Sequence, residues 1–205
     1  MQFDGFTKQD FQTFQIEGLD DRMAAIKERI QPKFSSLGSA LAEDVAAFAG
    51  NEMHLHIAKH ARRTKNPPKD TWLAIAHDKR GYKKHPHFQL GLFDDHVFLW
   101  LAYIYEMPDK EKAAKTFLES SEDILSQLPD SYLISPDHMK KDDLPLTKEN
   151  LISTLERFRD VKKGEFLLGR KIYSDDPMLK NGEKVYQFAK ETYQTLMPMY
   201  KMSMQ

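Results

Sequence analysis

The sequence predicts an α+β fold: a mostly antiparallel sheet of about four to six strands with helices packed against it, in a single domain over residues 1–205. Two observations carry this. Apolar residues recur at three- and four-residue steps before Gly50 and again after Pro108, which is helical spacing. Between Met53 and Tyr105 they alternate or run continuously and are broken by turn residues, which reads as about four strands. The order is therefore helices, antiparallel strands, then helices.

Taken in order, Thr7 and Asp10 resemble a capping box for a short helix with Phe11 and Phe14 on its apolar side, ended by Gly18. Asp20 and Asp21 open a second helix through Met23, Ile26 and Ile30, which Pro32 breaks or restarts. Phe34, Leu37, Leu41, Val45 and Phe48 form the strongest helical stripe, with Gly50 at the C-cap position. The expected strands are Met53 to Ala58, Thr71 to His77, His87 to Phe93 and Val97 to Tyr105. In the first, Met53, Leu55 and Ile57 face a core while His54 and His56 face away. In the third, Phe88, Leu90 and Leu92 point inward and His87, Gln89 and Gly91 outward; a strand glycine marks a bulge or a close approach. The fourth is apolar on both parities and belongs in the middle of a sheet. Pro108 starts a long helix to Leu128, Tyr132 to Ile134 is a short strand, and Ser135 to Leu146 a surface loop. Thr147 caps a further helix ended by Gly164, Glu165 to Tyr173 is a last strand or extended arm, and Met178 to Tyr200 a final helix.

Composition narrows the chemistry. With 40% hydrophobic and 30% charged residues the chain is a soluble globular protein, and a net charge of −1 argues against a uniformly basic nucleic-acid binder. That mean hides an asymmetry, because residues 59–85 carry nine Lys/Arg against two Asp, leaving −8 for the remainder. The absence of cysteine excludes disulfides, thiolate nucleophiles and Cys-ligated metal, and fits a reducing compartment. MQFDGFTKQD has neither the basic nor the apolar part of a signal peptide, and the longest apolar run, Val97 to Tyr105, is too short to span a membrane. The expected location is cytoplasmic, with no membrane contact.

The stretch from 53 to 105 also holds seven of the eight histidines and both tryptophans. Arg62, Arg63, Arg80, Lys83 and Lys84 are the side chains to grip phosphate oxygens, Gly81 lets the loop turn tightly, and Tyr82 could stack on a base. A solvated surface balancing acidic helices would look the same, and GYKKHP lacks the GK[ST] ending of a P-loop. His54 and His56, two apart on one strand face, with His87 nearby, could hold a metal ion with a water in the open position. There is no HExxH, and histidine is an ordinary occupant of a polar strand face. The same histidines beside Arg62, Arg63 and Arg80 would equally suit metal-free acid–base chemistry on a phosphodiester. GxSxG, SxxK, GxGxxG and EF-hand patterns are absent. Met197, Met199, Met202 and Met204 read as a tail packing on the core rather than a partner surface.

The segments HIAKHARRTKNPP, DTW, KRGYKKHPHFQLG and HVFLWLAYIYE, with KKGEFLLGRKI further on, together resemble the YktB-like family of uncharacterised bacterial proteins. The resemblance covers most of the chain. It implies a small cytoplasmic bacterial protein with an α+β fold, and it brings no activity, ligand or catalytic residue with it.

The reading that follows is a basic, His-lined sheet face binding a phosphorylated small molecule or RNA. Anion contact falls to Arg62, Arg63, Arg80, Tyr82, Lys83 and Lys84, over a floor of His54, His56, His87 and Gln89. The alternatives are a His-ligated, phosphodiesterase-like metal hydrolase on His54, His56 and His87, and a protein-interaction module without a small ligand. The residues name no cofactor and no protein partner.

Overall fold

The computed structural model describes residues 2–205. In chain order these form α1 (Lys8–Gln12), α2 (Leu19–Ala25), α3 (Gln31–Ala49), β1 (His54–Ile57), β2 (Thr71–Ala76), β3 (His87–Leu92), β4 (His96–Tyr103), α4 (Lys110–Glu119) and α5 (Ser121–Gln127). There follow β5 (Leu133–Ser135), β6 (Leu144–Pro145), α6 (Lys148–Asp160), β7 (Phe166–Tyr173) and α7 (Gly182–Ser203). The seven strands make one sheet in the order β1-β2-β3-β4-β7-β5-β6, antiparallel at every pair. This is the expected α+β architecture with one strand above the expected range. The extra strand, β6, is a two-residue pairing with β5 inside the segment read as surface loop.

The Thr7 capping box forms, with the Asp10 carboxylate accepting from the Thr7 N–H at 2.6 Å. Pro32 does not separate two helices. It lies in the first turn of α3, and a π-turn at Ile26–Ile30 carries the chain from α2 into α3. Proline has no N–H to offer the preceding turn, and the wider π spacing absorbs that gap. The long helix expected from Pro108 to Leu128 is instead α4 and α5, interrupted at Ser120. β7 is no terminal arm. It pairs with β4 along its whole length and occupies the middle of the sheet, so the last strand in sequence completes the core.

One face of the sheet carries the main core. Leu73, Ile75, Phe88, Leu90, Leu99 and Leu101 meet Phe34, Leu37, Leu41, Phe117, Phe158 and Tyr193 from the helices, all fully buried. Each such side chain contributes about 1.5–3 kcal/mol by leaving water. The Tyr193 hydroxyl donates to the Gln89 carbonyl at 2.8 Å and ties α7 to β3. Met197 and Met199 are buried on α7, so this part of the methionine-rich end is core.

The second face, read from the sequence as polar and His-lined, is closed, and by loops. Trp72, Ala74, Phe98, Trp100, Ala102 and Leu167 form a smaller apolar layer there, with Tyr82 packed against it. The cover comes from loops: residues 58–70 lay the His60 ring against Trp72, residues 77–86 bring Tyr82, and residues 136–143 bring His138 to Trp72 and Lys141 over Phe93. β3 is accordingly buried on both faces, with His87 at 0% and Gln89 at 2% exposure. Gly91 marks the close approach its strand position suggests, because the Phe98 ring occupies the space of its missing Cβ. Gly169 in β7 likewise lies under the Trp100 ring and against the Leu99 carbonyl.

A methyl group at 169 has nowhere to go without moving β4. Gly169→Ala is expected to cost about 1–3 kcal/mol in urea unfolding, whereas Gly81→Ala, where a Cβ meets open space, stays within about 0.5 kcal/mol of wild type.

Candidate functional site

The loop joining β2 to β3 builds the first part of the site. The Asp78 carboxylate accepts from the Arg80 N–H at 2.7 Å and lies 3.2 Å from His85 Nε2, and these contacts hold its pKa below the ordinary carboxylate range. The Asp78 carbonyl accepts from His56 Nε2 at 2.9 Å, fastening the loop to edge strand β1. Between loop and strand lies a cleft of about 590 Å³, lined by His56, Lys59, Arg80, Tyr82, Lys83 and Lys84 and rimmed by Asp78 and Glu106. Lys83 reaches Glu106 at 3.3 Å. Four cations against two carboxylates leave the cleft at +2.

The sequence-predicted anion set divides here. Arg80, Tyr82, Lys83 and Lys84 come together, and Lys59 joins them. Arg62 and Arg63 do not line the cleft; they sit on the other covering loop, where Arg62 is exposed and Arg63 bonds the Asn66 carbonyl at 3.3 Å. Tyr82 forms the cleft wall. Its ring lies 5.5 Å from the His56 ring and 4.9 Å from the His87 ring, and its hydroxyl accepts from Trp72 Nε1 at 3.0 Å. These contacts anchor the Tyr82 side chain, and with it the loop, to the second face.

The histidines also divide. His54 and His56 do share the outer side of β1, half-buried. His87 does not meet them at a ligand-binding point. Its Nδ1–H donates to the His85 carbonyl at 2.7 Å and its Nε2 accepts from Gln89 Nε2 at 2.8 Å, so both ring nitrogens are engaged. Burial pushes its pKa down to about 3, leaving a neutral imidazole that works as a structural pin. The ligand-type cluster among the described residues is a different one, Asp137, His138 and Glu165.

That cluster contains the one histidine outside the stretch first singled out. Glu165, just before β7 and 3% exposed, accepts at one oxygen from both the backbone N–H of His138 (2.9 Å) and its Nδ1–H (2.7 Å). Its other oxygen takes the Tyr105 N–H at 3.4 Å. Asp137 is engaged by the Met139 N–H at 2.9 Å and approached by Lys140 at 3.6 Å. Glu165 and His138 are bonded to each other and Asp137 to the Met139 N–H, and the carboxylate of Glu165 orients the His138 ring. The His138 ring stands 6.1 Å from that of Trp72, edge to face.

Asp70 completes the region. It precedes Trp72 by two residues and shares its side of the chain, it is 1% exposed, and both carboxylate oxygens are without a protein partner. Burial raises its pKa to about 6, against the pull of nearby His138 and Arg63. The loop above is strained at His60, the non-glycine residue with positive φ (50°) among those described. Desolvation, then Arg63, lower the His60 pKa to about 4, and its Nε2 lies 3.1 Å from Thr71 Oγ1.

The sequence reading missed Asp70, and it missed His138 and Glu165 for one reason. Asp137 and His138 lie in a segment read as loop, and the partner carboxylate is 27 residues away at the mouth of a strand. The recoverable signals were single charges, Asp70 and Glu165, each immediately before an apolar strand.

Fold and site together define an α+β protein whose open antiparallel sheet is packed with helices on one face and covered on the other by polar, partly basic loops. The chain belongs to the family described as Domain of unknown function (DUF1054), whose model matches residues 6–200. It is 58% identical to a UPF0637 protein of Oceanobacillus iheyensis over 97% of this chain and 96% of that one. It is 54% identical to a counterpart in Shouchella clausii over 100% and 97%, and 52% identical to one in Listeria welshimeri over the full length of both. The YktB-like resemblance of the sequence is consistent with this membership. No helix among the described residues is long and apolar enough to cross a membrane.

Asp70 makes a pH prediction. Its folded pKa is about 6 against about 3.9 in an unfolded chain, so the native state binds the extra proton in between. Stability is therefore greatest below about pH 4 and falls as pH rises through 6, by roughly 3 kcal/mol at this site. Asp70→Asn is expected to be more stable than wild type at pH 8 and to lose most of that advantage at pH 4, read from urea midpoints at the two pH values.

Proposed function

We propose that the protein binds a phosphorylated small molecule in the cleft between β1 and the β2–β3 loop. The observation that carries this is the convergence of Lys59, Arg80, Lys83 and Lys84 on one concave site of about 590 Å³, within the size range of small-ligand pockets. Arg80 supplies a planar fork for phosphate oxygens, and the lysines supply point charges that adjust to the ligand. His56 and Tyr82 form the wall, and His87 with Gln89, buried behind Tyr82, hold it in place. His54 flanks the cleft from the same side of β1. A cytoplasmic location fits this reading, since phosphorylated metabolites and the cysteine-free composition both belong to a reducing interior.

RNA is the weaker reading, because a backbone-tracking protein needs a charged stripe. Here Arg62 and Arg63 are separated from the cleft cations. A His-ligated metal hydrolase on His54, His56 and His87 is not favoured either, because His87 has no free nitrogen.

Ribose 5-phosphate and a single-stranded RNA oligomer serve as probes in isothermal titration at two salt concentrations. The sugar phosphate is expected to bind, and the Arg80→Ala/Lys84→Ala pair to weaken it at least tenfold and flatten its salt dependence. Arg62→Ala leaves it unchanged. Binding of RNA alone, or cleft variants indistinguishable from wild type, would overturn the reading.

A further inference from the structure

The register of β5 against β7 sets Leu133 opposite Gly169 and Ser135 opposite Leu167. Carried two residues past the last pair, the same register brings Asp137 opposite Glu165. Side chains alternate between faces along a strand, so Glu165 lies on the side of Leu167, which belongs to the second-face layer. His138 follows Asp137 and sets its ring 6.1 Å from that of Trp72 in the same layer. One donor atom from each of Asp137, His138 and Glu165 lies within 4.8 Å of the others. Of these, His138 Nδ1 and a Glu165 oxygen are already 2.7 Å apart.

Backbone groups hold the three side chains in place. The Tyr105 N–H bonds one oxygen of Glu165 at 3.4 Å and the His138 N–H the other at 2.9 Å, while the Met139 N–H bonds Asp137 at 2.9 Å. Hydrogen bonds of this kind orient metal ligands and tune them. Asp137 is partly exposed, and His138 and Glu165 lie progressively deeper, so solvent reaches the cluster at Asp137.

The local charge is short of a cation. Asp70 lies on the Trp72 side, is buried, and has no protein partner at either oxygen. Among the charged groups that act on it, His138 comes first. Three carboxylates therefore gather at one imidazole. The cations nearby are engaged elsewhere or stand off. Lys110 and Arg63 bond backbone carbonyls, and the exposed Lys140 is 3.6 Å from Asp137. Buried carboxylates are found paired with cations or coordinating metals.

We propose that Asp137, His138 and Glu165 hold a divalent transition-metal ion, which clips the loop of residues 136–143 to the mouth of β7. Bonds of about 2.0–2.2 Å from nitrogen and oxygen set neighbouring donors roughly 3 Å apart. Glu165 and His138 need only part slightly to admit the ion, and Asp137 closes on it by rotating its partly exposed side chain. Water completes the coordination. The donor set selects the class of ion, because an imidazole nitrogen favours zinc and its neighbours over magnesium and calcium. The site is separate from the phosphate cleft, which none of the three residues lines.

The probe is Zn²⁺ alone, titrated by calorimetry into the full chain after stripping with EDTA and removal of the chelator, with Mg²⁺ as the comparison. Wild type is expected to take up one Zn²⁺ per chain and to bind it at least about tenfold more tightly than Mg²⁺. Asp137→Asn keeps an oxygen for the Met139 N–H, so it is expected to fold, with a metal-free urea midpoint matching wild type. It and His138→Gln should each weaken Zn²⁺ by roughly tenfold or more. Both should also cancel most of the rise in thermal midpoint that Zn²⁺ gives wild type. The distant pair His54→Gln/His56→Gln is expected to leave the affinity within about twofold. No Zn²⁺ uptake by wild type, or an affinity that Asp137→Asn retains, would overturn the inference. So would loss of binding in the His54/His56 variant, or Mg²⁺ bound as tightly as Zn²⁺.

Discussion

The structure depends on how the second face of the sheet is closed. An antiparallel sheet with helices on one side commonly leaves the other side to water, but this sheet carries Trp72, Phe98 and Trp100 there. Three loops cover them, and loops carry backbone and side-chain polar groups that need partners once buried. The polar residues of this face answer that need. Gln89, His87, the His85 carbonyl, Tyr82 and Trp72 form a connected set of contacts from the middle of β3 to the cleft wall. The cleft is a consequence of this covering layer, because the loop that presents the cations is held in place by the contacts that bury the indole.

The same constraint sorts the buried polar groups by whether they are bonded. A buried histidine with both nitrogens bonded and its pKa driven down to about 3 has no proton to exchange near neutrality. A buried carboxylate with no partner and a pKa raised to about 6 is in the opposite condition, since its charge costs stability and serves no structural bond. Residues that oppose the fold in this way cluster where a protein keeps chemistry. Asp70 lies within electrostatic reach of His138, beneath a loop strained at His60. The neighbourhood of Trp72 is thus where local stability is given up.

Much of the fold was legible because periodicity reports burial. Alternation in the strands placed Phe88, Leu90 and Leu92 on the helix side, and the doubly apolar run in β4 located a central strand. Legibility stopped where two surfaces had to be distinguished by what covers them. His87 and Gln89 were correctly placed opposite the core leucines, but no pattern in their own strand says that loops 77–86 and 136–143 close over them. β7 gave a weak signal because Gly169 and Arg170 interrupt its apolar run, and only pairing with β4 explains the glycine. In the site, the charge density of residues 79–84 pointed to the cleft. The long-range pair of His138 with Glu165 has no spacing rule and required the topology that sets β5 beside β7.

The account stands on the second face being a closed layer with His87 pinned inside it. The most direct test is nitrogen-15 NMR of histidine-labelled protein between pH 4 and 8. The account predicts that the His87 ring keeps one neutral tautomer, protonated at Nδ1, across the whole range, in line with a pKa of about 3. A His87 resonance that titrates near 6.5 would mean that the face is open to water, and the covering layer with its cleft wall would not exist as described.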